Sequence, residues 1–483
     1  MIKKQLSIFN TLSGKKEKFK PLKGKIVKMY ACGPTVYWYA HLGNFRTYIL
    51  SDILRRVLKY NGYKIKQVMN ITDVEDKIIK KAKEEKKDIF KITEPYTKFF
   101  FEDLKKLNIE KSEFYPRATD YIKEMTDLIE KLMTKGFAYK GNDCSIYFKI
   151  SKFKKYGELS RLQKRTIKIG ARISADTYTK EEAQDFVLWK AAKTQPKKET
   201  SRSLTLKTRK KYILINGEPA WPSAWGWGRP GWHIECSAMS MKCLGSTLDI
   251  HSGGIDLIFP HHENEIAQSE AATGKKFVNY LIHGGHLLVN NESMSKSLKN
   301  IYTVKDLQEK KINPLAFRYL ILTSHYRSKL NFTWESVQAN QNALNSLYSV
   351  FQSTYLFQNS TRKNTNNKKN KEKTETYKKE FLKAINDDLN LPKALSIAWQ
   401  IIKDDNLSTK SKKEILIDFD KVFGLGFNKI KPLKIPQEIK RLLKEREELR
   451  SNQQFIQADH LRKKIEGLGY KIEDLKKGIK IFK

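Results

Sequence analysis

The chain has 483 residues, 40% of them hydrophobic, with 93 Lys and Arg against 53 Asp and Glu, a formal net charge of +40. That length excludes a single core and predicts about two to four domains. The charge points to a polyanionic partner, nucleic acid ahead of an anionic membrane, although a lysine-rich proteome would give the same bias. Cys32, Cys144, Cys236 and Cys243 are the only cysteines, too few for a disulfide framework at this length, and they suit a reducing compartment. The start, Met1 to Ser7, lacks an apolar run and a small-residue cleavage site, and no apolar stretch of about 20 residues occurs. A soluble, cytoplasmic protein without a membrane partner is expected.

In chain order, residues 25–31 read as a short buried strand, followed by a loop, Cys32-Gly33-Pro34-Thr35. A helical pattern runs from about Gly43 to Tyr60, with Tyr48, Ile49, Ile53, Leu54, Val57 and Leu58 on one face, and Asn61-Gly62 stops it. Lys64 to Asn70 is a second strand. Strand, helix and strand with short links form a βαβ unit, the opening of a Rossmann-like parallel sheet. Ligands of such sheets bind at the strands' carboxyl ends, where residues 32–44 lie.

Amphipathic helices follow, such as Tyr121 to Lys135. Residues 140–215 are less regular and include a basic stretch, Thr194 to Lys211, expected to be an exposed insertion. Leu248-Asp249-Ile250 reads as a strand feeding Gly253-Gly254, a helix is expected from about His261 to Ala272, and Phe277 to Leu281 and Leu287 to Val289 read as strands. Beyond about residue 305 the chain is mainly helical. Residues 359–377 are poor in apolar side chains and are expected to be a solvated loop. Pro392 marks a first helical turn. Glu438–Leu449 and Phe455–Ile465 form a helical hairpin, with Leu442, Leu443 and Leu449 facing Phe455, Ala458 and Leu461.

Three groups carry chemistry. Cys32, Cys236, His261 and Glu265 combine thiols, imidazole and carboxylate, a donor set that suits zinc. His261 and Glu265, four apart, share a helix face. Spacing alone leaves His262, His251 and Cys243 as rival ligands, and each cysteine alone is more simply a small core residue. His41-Leu42-Gly43-Asn44 sits between strand and helix, where backbone N–H groups attract phosphate. Gly43 permits close backbone approach, and His41 and Asn44 can donate to phosphate oxygens; the bland reading is an ordinary helix cap. Met294-Ser295-Lys296-Ser297-Leu298-Lys299-Asn300 is a small polar loop whose Lys296 can neutralise a triphosphate.

These strings resemble a known family. His41–Asn44 looks like the HIGH motif of class I aminoacyl-tRNA synthetases, and Ser293-Met294-Ser295-Lys296-Ser297 looks like their KMSKS loop. Cys32–Tyr37, Asn70–Asp73, Arg229–Met239 and Phe259–Ser269 resemble the cysteinyl branch of that family. The resemblance runs from about residue 5 to residue 480. It departs at Asn44, where the motif ends in His, and at Ser293, where it begins with Lys.

The resemblance implies an α/β fold: a Rossmann-like parallel-sheet catalytic domain with an insertion, followed by a mainly helical anticodon-binding region. The implied segments are 1–139 and 220–285 for the two catalytic halves and 140–219 for the connective insertion. Residues 286–345 would carry the KMSKS loop and stem contact, 346–428 an anticodon-binding bundle, and 429–483 a terminal anticodon-recognition segment. It also implies ATP and L-cysteine as substrates, with Mg2+ accompanying the ATP, tRNA(Cys) as acceptor and a monomeric enzyme. His41, Gly43, Asn44 and Lys296 would handle ATP. Thr72, Trp232 and His251 would line the cysteine pocket. Cys32, Cys236 and His261 would bind one zinc ion firmly and Glu265 more weakly. A related ligase acting on an amino sugar would keep this site but not need residues 345–483, and a non-catalytic tRNA-binding paralogue is the alternative that Asn44 and Ser293 favour.

Overall fold

The computed structural model describes residues 5–161, 185–194, 212–295, 297–352, 354–356, 367–474 and 479–482. Lys296, residues 195–211 of the expected basic insertion and 359–366 of the expected loop lie outside the described residues. The chain divides into two compact units.

The first unit comprises residues 1–314, 324–333 and 386–389. Its centre is a four-stranded parallel sheet in the spatial order Val278–Gly284, Leu248–Gly254, Ile26–Ala31, Lys64–Met69. Every residue of Leu248–Gly254 is buried, as a central parallel strand covered on both faces requires. The helix Leu42–Tyr60 crosses from the first strand to the second. Its apolar face, from Leu42 and Phe45 through Ile53 and Leu58, is buried. It ends where Asn61 donates to the Val57 carbonyl and Gly62 takes a left-handed φ of 85°. The second strand lies on one side of Ile26–Ala31 and the third on the other, so chain order reverses across that strand. Such a switch point is where ligands of parallel sheets bind, and here the two strands that flank it end at Ala31 and Gly254.

The region 140–215, expected to be irregular, contributes strands to an antiparallel sheet. Gly228–Pro230, Phe186–Ala191, Ile146–Phe148 and Ala138–Lys140 lie side by side. Each is only three to six residues long, too short to show a period. Phe148 stacks on Phe186 at 5.0 Å, and Trp189 is fully buried. Further on, Leu287–Val289 pairs parallel with Leu330–Phe332 and antiparallel with Glu292–Ser293. The turn between is Asn290-Asn291, both left-handed at φ 51° and 65°, which asparagine tolerates best among residues with a Cβ.

The second unit comprises residues 315–323, 334–385 and 390–483. Its helices include Trp334–Gln352, Asn367–Ile385, Leu391–Lys403 with Pro392 in its first turn, and Thr409–Phe423. The helix from Asn367 replaces part of the expected loop. Its many Lys and Glu residues are good helix formers, its end is anchored by buried Phe381, Ala384 and Ile385, and Lys373 and Tyr377 both bond Asp404. The hairpin Gln437–Ser451 and Phe455–Gly467 forms, with Leu442, Leu443 and Ala458 buried, but Phe455 is 55% exposed rather than packed. A small antiparallel sheet, Thr354–Leu356, Ile479–Phe482 and Lys471–Asp474, adds β structure to a region expected to be helical. Its Ile472, Ile479 and Ile481 join Leu442, Leu443 and Ile465 in one core.

Candidate active site

The fold brings Cys32, Cys236, His261 and Glu265 together beside the end of the first strand. Cys32 follows the first strand, and its loop is held by close backbone packing. Gly33 N–H donates to Asn70 Oδ1 at 2.8 Å, and a Cβ on Gly33 would stand 1.7 Å from the Asn70 carbonyl oxygen. Thr72 N–H donates to the Pro34 carbonyl and Val36 N–H to that of Thr72. Cys236 sits on the helix Trp232–Leu244. His261 differs from expectation: it lies in a wide turn, Ile258–His262, entered through extended Phe259, and the regular helix begins at Glu263.

All four side chains are buried, and their donor atoms lie within 4.8 Å of one another. His261 Nε2 is 3.0 Å from Glu265 Oε1, and Cys32 Sγ is 3.7 Å from the same oxygen. Two of the rival ligands come in as well: Cys32, His251, His262 and Glu265 form an overlapping set. His251 Nε2 is 2.9 Å from Glu265 Oε2, and His262 Nε2 is 3.4 Å from Cys32 Sγ. Cys243 instead contacts the Tyr121 hydroxyl at 3.5 Å.

The histidines hold one another in place. His261 Nδ1 meets His233 Nδ1 at 2.9 Å; His262 Nδ1 meets His283 Nε2 at 2.8 Å, and His283 Nδ1 meets Thr11 Oγ1 at 2.8 Å. His262 is thus engaged at both nitrogens. His233 and His283 carried no sequence signal of their own, beyond His233 falling within the string Arg229–Met239.

Charge balance favours a cation. Burial, the Cys236 hydrogen bond and Glu265 push the Cys32 thiol up. The Cys32 hydrogen bond, with His261, brings Cys236 down to about 6 against its burial. Burial opposes a charge on His261, but Glu265 and Cys236 outweigh it and raise the imidazole to about 10. Burial likewise opposes ionisation of Glu265, yet His251 and His261 hold it at about 2. Protons therefore settle on Cys32 and His261. A divalent cation taking the place of those two protons leaves the net charge of the pocket unchanged, whereas two thiolates and a carboxylate buried without a cation would be untenable. Two sulfurs, a nitrogen and an oxygen are donors that fit zinc.

Around this cluster stand the expected pocket residues. The Trp232 ring stacks on His261 with centroids 4.5 Å apart. Thr72 donates to Glu235 Oε2 at 3.1 Å, next to Cys236. His251 is buried and its Nδ1 has no hydrogen-bond partner.

His41 caps the helix Leu42–Tyr60. Asn44 N–H donates to His41 Nδ1 at 3.3 Å, and His41 N–H donates to Asn44 Oδ1 at 3.1 Å. Burial holds the His41 imidazole below its usual range, opposed by Asp256. A neutral ring that accepts at Nδ1 carries its proton on Nε2. No acidic residue stands in the first turn of this helix, as a phosphate site needs. The late loop folds against it: Leu42 N–H donates to the Tyr302 carbonyl at 2.8 Å, and a Cβ on Gly43 would stand 3.1 Å from Met294 Sδ. Asn300 ties the loop, accepting from Ser295 N–H at 2.8 Å and donating to the Ser293 carbonyl at 3.1 Å.

Residues 18–342 match the family model described as tRNA synthetases class I (C) catalytic domain. A cysteine–tRNA ligase of Leptospira interrogans serovar Lai is 42% identical, over 99% of each chain. One from Protochlamydia amoebophila is 42% identical over 99% of this chain and 98% of that one, and one from Thermococcus onnurineus 40% over 98% of each. This chain belongs to the cysteine–tRNA ligase family. The fold agrees: a solved Mycobacterium tuberculosis methionyl-tRNA synthetase aligns at a TM-score of 0.58 and 13% identity, covering 84% of this chain and 93% of that one. The class I parallel-sheet architecture and helical C-terminal part are those expected from sequence. Among the described residues, no helix is long and apolar enough to cross a membrane.

Proposed function

We propose that the chain activates L-cysteine with ATP and transfers it to tRNA(Cys), and that the buried Cys32–Cys236–His261–Glu265 set holds the zinc ion that selects the amino acid. The observation that carries this is that donor set, buried beside the carboxyl ends of the parallel strands in a chain whose neighbouring helix is capped by His41.

The cysteine carboxylate attacks the α-phosphorus of ATP and pyrophosphate leaves. The 2′-hydroxyl of the terminal tRNA ribose then attacks the carbonyl carbon of the adenylate, and AMP leaves. The protein contributes position and charge rather than a covalent bond. His41 donates from Nε2 to a phosphate oxygen. Asn44 keeps its Nδ2 for the same use while its Oδ1 fixes His41. Gly43, lacking a side chain, permits close backbone approach of the phosphates, and Lys296 supplies a point cation, with Mg2+ arriving on ATP.

Zinc, when bound, supplies a soft Lewis acid that a thiolate satisfies and an alcohol does not, a distinction that a size-selective pocket makes only about 100-fold at best. Trp232 covers His261 and closes the apolar side of the pocket, Thr72 fixes Glu235, and His251 orients Glu265. The basic C-terminal region, with 346–428 given to anticodon binding and 429–483 to anticodon recognition, holds the tRNA through its phosphates. A monomeric cytoplasmic enzyme is part of this reading.

Cysteine-dependent ATP–pyrophosphate exchange, run beside serine with zinc determined on the same sample, tests the reading. Exchange with cysteine and not serine is expected; a folded, zinc-loaded protein without exchange would favour a tRNA-binding role without catalysis.

A further inference from the structure

The row of histidines behind the donor set ends on a residue that no motif of the sequence marks. His262 and His283 are both buried. The His262 ring is confined: its centroid lies 4.1 Å from that of His251 and 4.9 Å from that of His283, and a Cβ on Gly253 would stand 2.7 Å from its Cε1. Three contacts run through these rings in single file. Cys32 Sγ meets His262 Nε2 at 3.4 Å, His262 Nδ1 meets His283 Nε2 at 2.8 Å, and His283 Nδ1 meets Thr11 Oγ1 at 2.8 Å. Thr11 is held in place independently of this last contact. Its N–H donates to the Leu281 carbonyl at 2.8 Å, and the preceding Asn10 side chain accepts from Leu281 N–H at 3.0 Å and donates to the Asn279 carbonyl at 2.9 Å. The main chain and Asn10 thus set residue 11 beside the strand Val278–Gly284, which carries His283.

Donors and acceptors along this file follow from its first member. A cysteine binds zinc as the thiolate, so Cys32 can only accept, and His262 carries its proton on Nε2. Burial opposes a charge on either ring, and a neutral imidazole that donates from one nitrogen accepts at the other. His262 Nδ1 therefore accepts from His283 Nε2. His283 Nδ1 accepts in turn, so the group facing it must donate, and a threonine hydroxyl has the proton to give. We propose that Thr11 is a positioning residue of the metal site: its hydroxyl sets the tautomers of His283 and His262 and so aims the His262 N–H at the zinc-bound Cys32 thiolate. The inference rests on the zinc reading above. A donor on the sulfur draws charge from it, which fixes the direction of that ligand and leaves the metal a stronger Lewis acid toward a substrate thiol. Outer partners of this kind are worth about 10–100-fold in metal affinity or activity. Valine at position 11 would fill nearly the same space but has no proton to offer, and the file would lose its fixed direction.

The test uses the full chain as Thr11→Val, Thr11→Ser, and Thr11→Val in a His283→Ala background, each first checked by circular dichroism and melting. Zinc affinity is read by competition with a chromogenic chelator, and the sulfur-to-metal charge-transfer band by replacing zinc with cobalt(II). Thr11→Val is expected to bind zinc about tenfold more weakly. Its cobalt band should move to longer wavelength, because a sulfur without its hydrogen-bond donor gives up charge more readily. Thr11→Ser keeps the hydroxyl and should hold zinc affinity within about twofold of the natural protein, with its band in place. In the His283→Ala background Thr11→Val should cause no further loss, since the path is already cut. A folded Thr11→Val protein with unchanged affinity and band would overturn the proposal. So would a serine variant as weak as the valine one, or an equal further loss in the absence of His283. A natural protein that binds neither metal through sulfur would overturn the zinc reading and this proposal with it; one that binds both, with indifferent variants, would overturn the proposal alone.

Discussion

His41 and Asn44 hold each other through reciprocal hydrogen bonds, Asn44 N–H to His41 Nδ1 and His41 N–H to Asn44 Oδ1. The asparagine that departs from the family's motif thus completes a capping box and leaves the histidine proton on Nε2.

Two substitutions separate capping from phosphate binding. Asn44→Ala removes the acceptor for His41 N–H and should cost about 1 kcal/mol of stability. Asn44→Asp keeps an oxygen there and places a negative charge at a helix N-terminus, so stability should hold or rise. That same charge faces ATP, and exchange should fall on the order of tenfold or more. Melting temperature and exchange measured on both variants check this. Loss of stability and activity in step would leave Asn44 no more than a cap.

Cys236→Ser should release zinc and reduce cysteine activation by more than about 100-fold, because it removes a ligand rather than a ligand's support. ATP binding should persist, since the phosphate site is built from the His41 helix. Metal analysis with exchange and nucleotide-binding measurements on one preparation decides it.

Gly33→Ala drives a methyl group onto the Asn70 carbonyl oxygen, 1.7 Å away in the unrelaxed structure. Backbone must move, at about 1–3 kcal/mol, and Cys32 moves with it. Denaturation midpoint and zinc content should fall together. An unchanged zinc content with lowered stability would show that the Cys32 loop absorbs the shift.

Asp73 is fully buried, and its burial, against hydrogen bonds from Thr119, raises its carboxyl to about 6. Below about pH 4 the group is neutral in folded and unfolded chains alike. Between about pH 4 and 6 the unfolded chain gives up the proton while the folded chain keeps it, so stability falls as pH rises, by about 3 kcal/mol in all. Asp73→Asn removes this dependence. Melting temperatures of the two proteins should shift in favour of the variant from pH 4 to 7, and a constant difference would show that Asp73 keeps its ordinary acidity.

Much of the first unit was legible because its signals are long. The helix from Leu42 has an apolar stripe of five turns, and the central strands are apolar runs bounded by glycine or asparagine. The insertion's strands are too short to show a period. The helix from Asn367 carries a polar sequence that helix propensity, the buried end at Phe381–Ile385 and the Asp404 contacts turn into structure. The terminal sheet depends on pairing between Thr354–Leu356 and Ile479–Phe482, over 100 residues away in sequence. In the site, spacing pointed to Cys32, His261 and Glu265 but could not separate His261 from His262. Both turn inward, and only position distinguishes the one facing Cys236 and Glu265 from the one between Cys32 and His283.

Everything proposed for amino-acid selection depends on Cys32, Cys236, His261 and Glu265 holding zinc together. X-ray absorption at the zinc edge of the purified, active protein reads that coordination without an intermediate step. One zinc per chain is expected, with two sulfur neighbours at about 2.3 Å and nitrogen or oxygen neighbours at about 2.0–2.2 Å, and with little zinc left to absorb in Cys236→Ser. Full cysteine-dependent activity without zinc, or a zinc ion with no sulfur neighbours, would contradict the assignment.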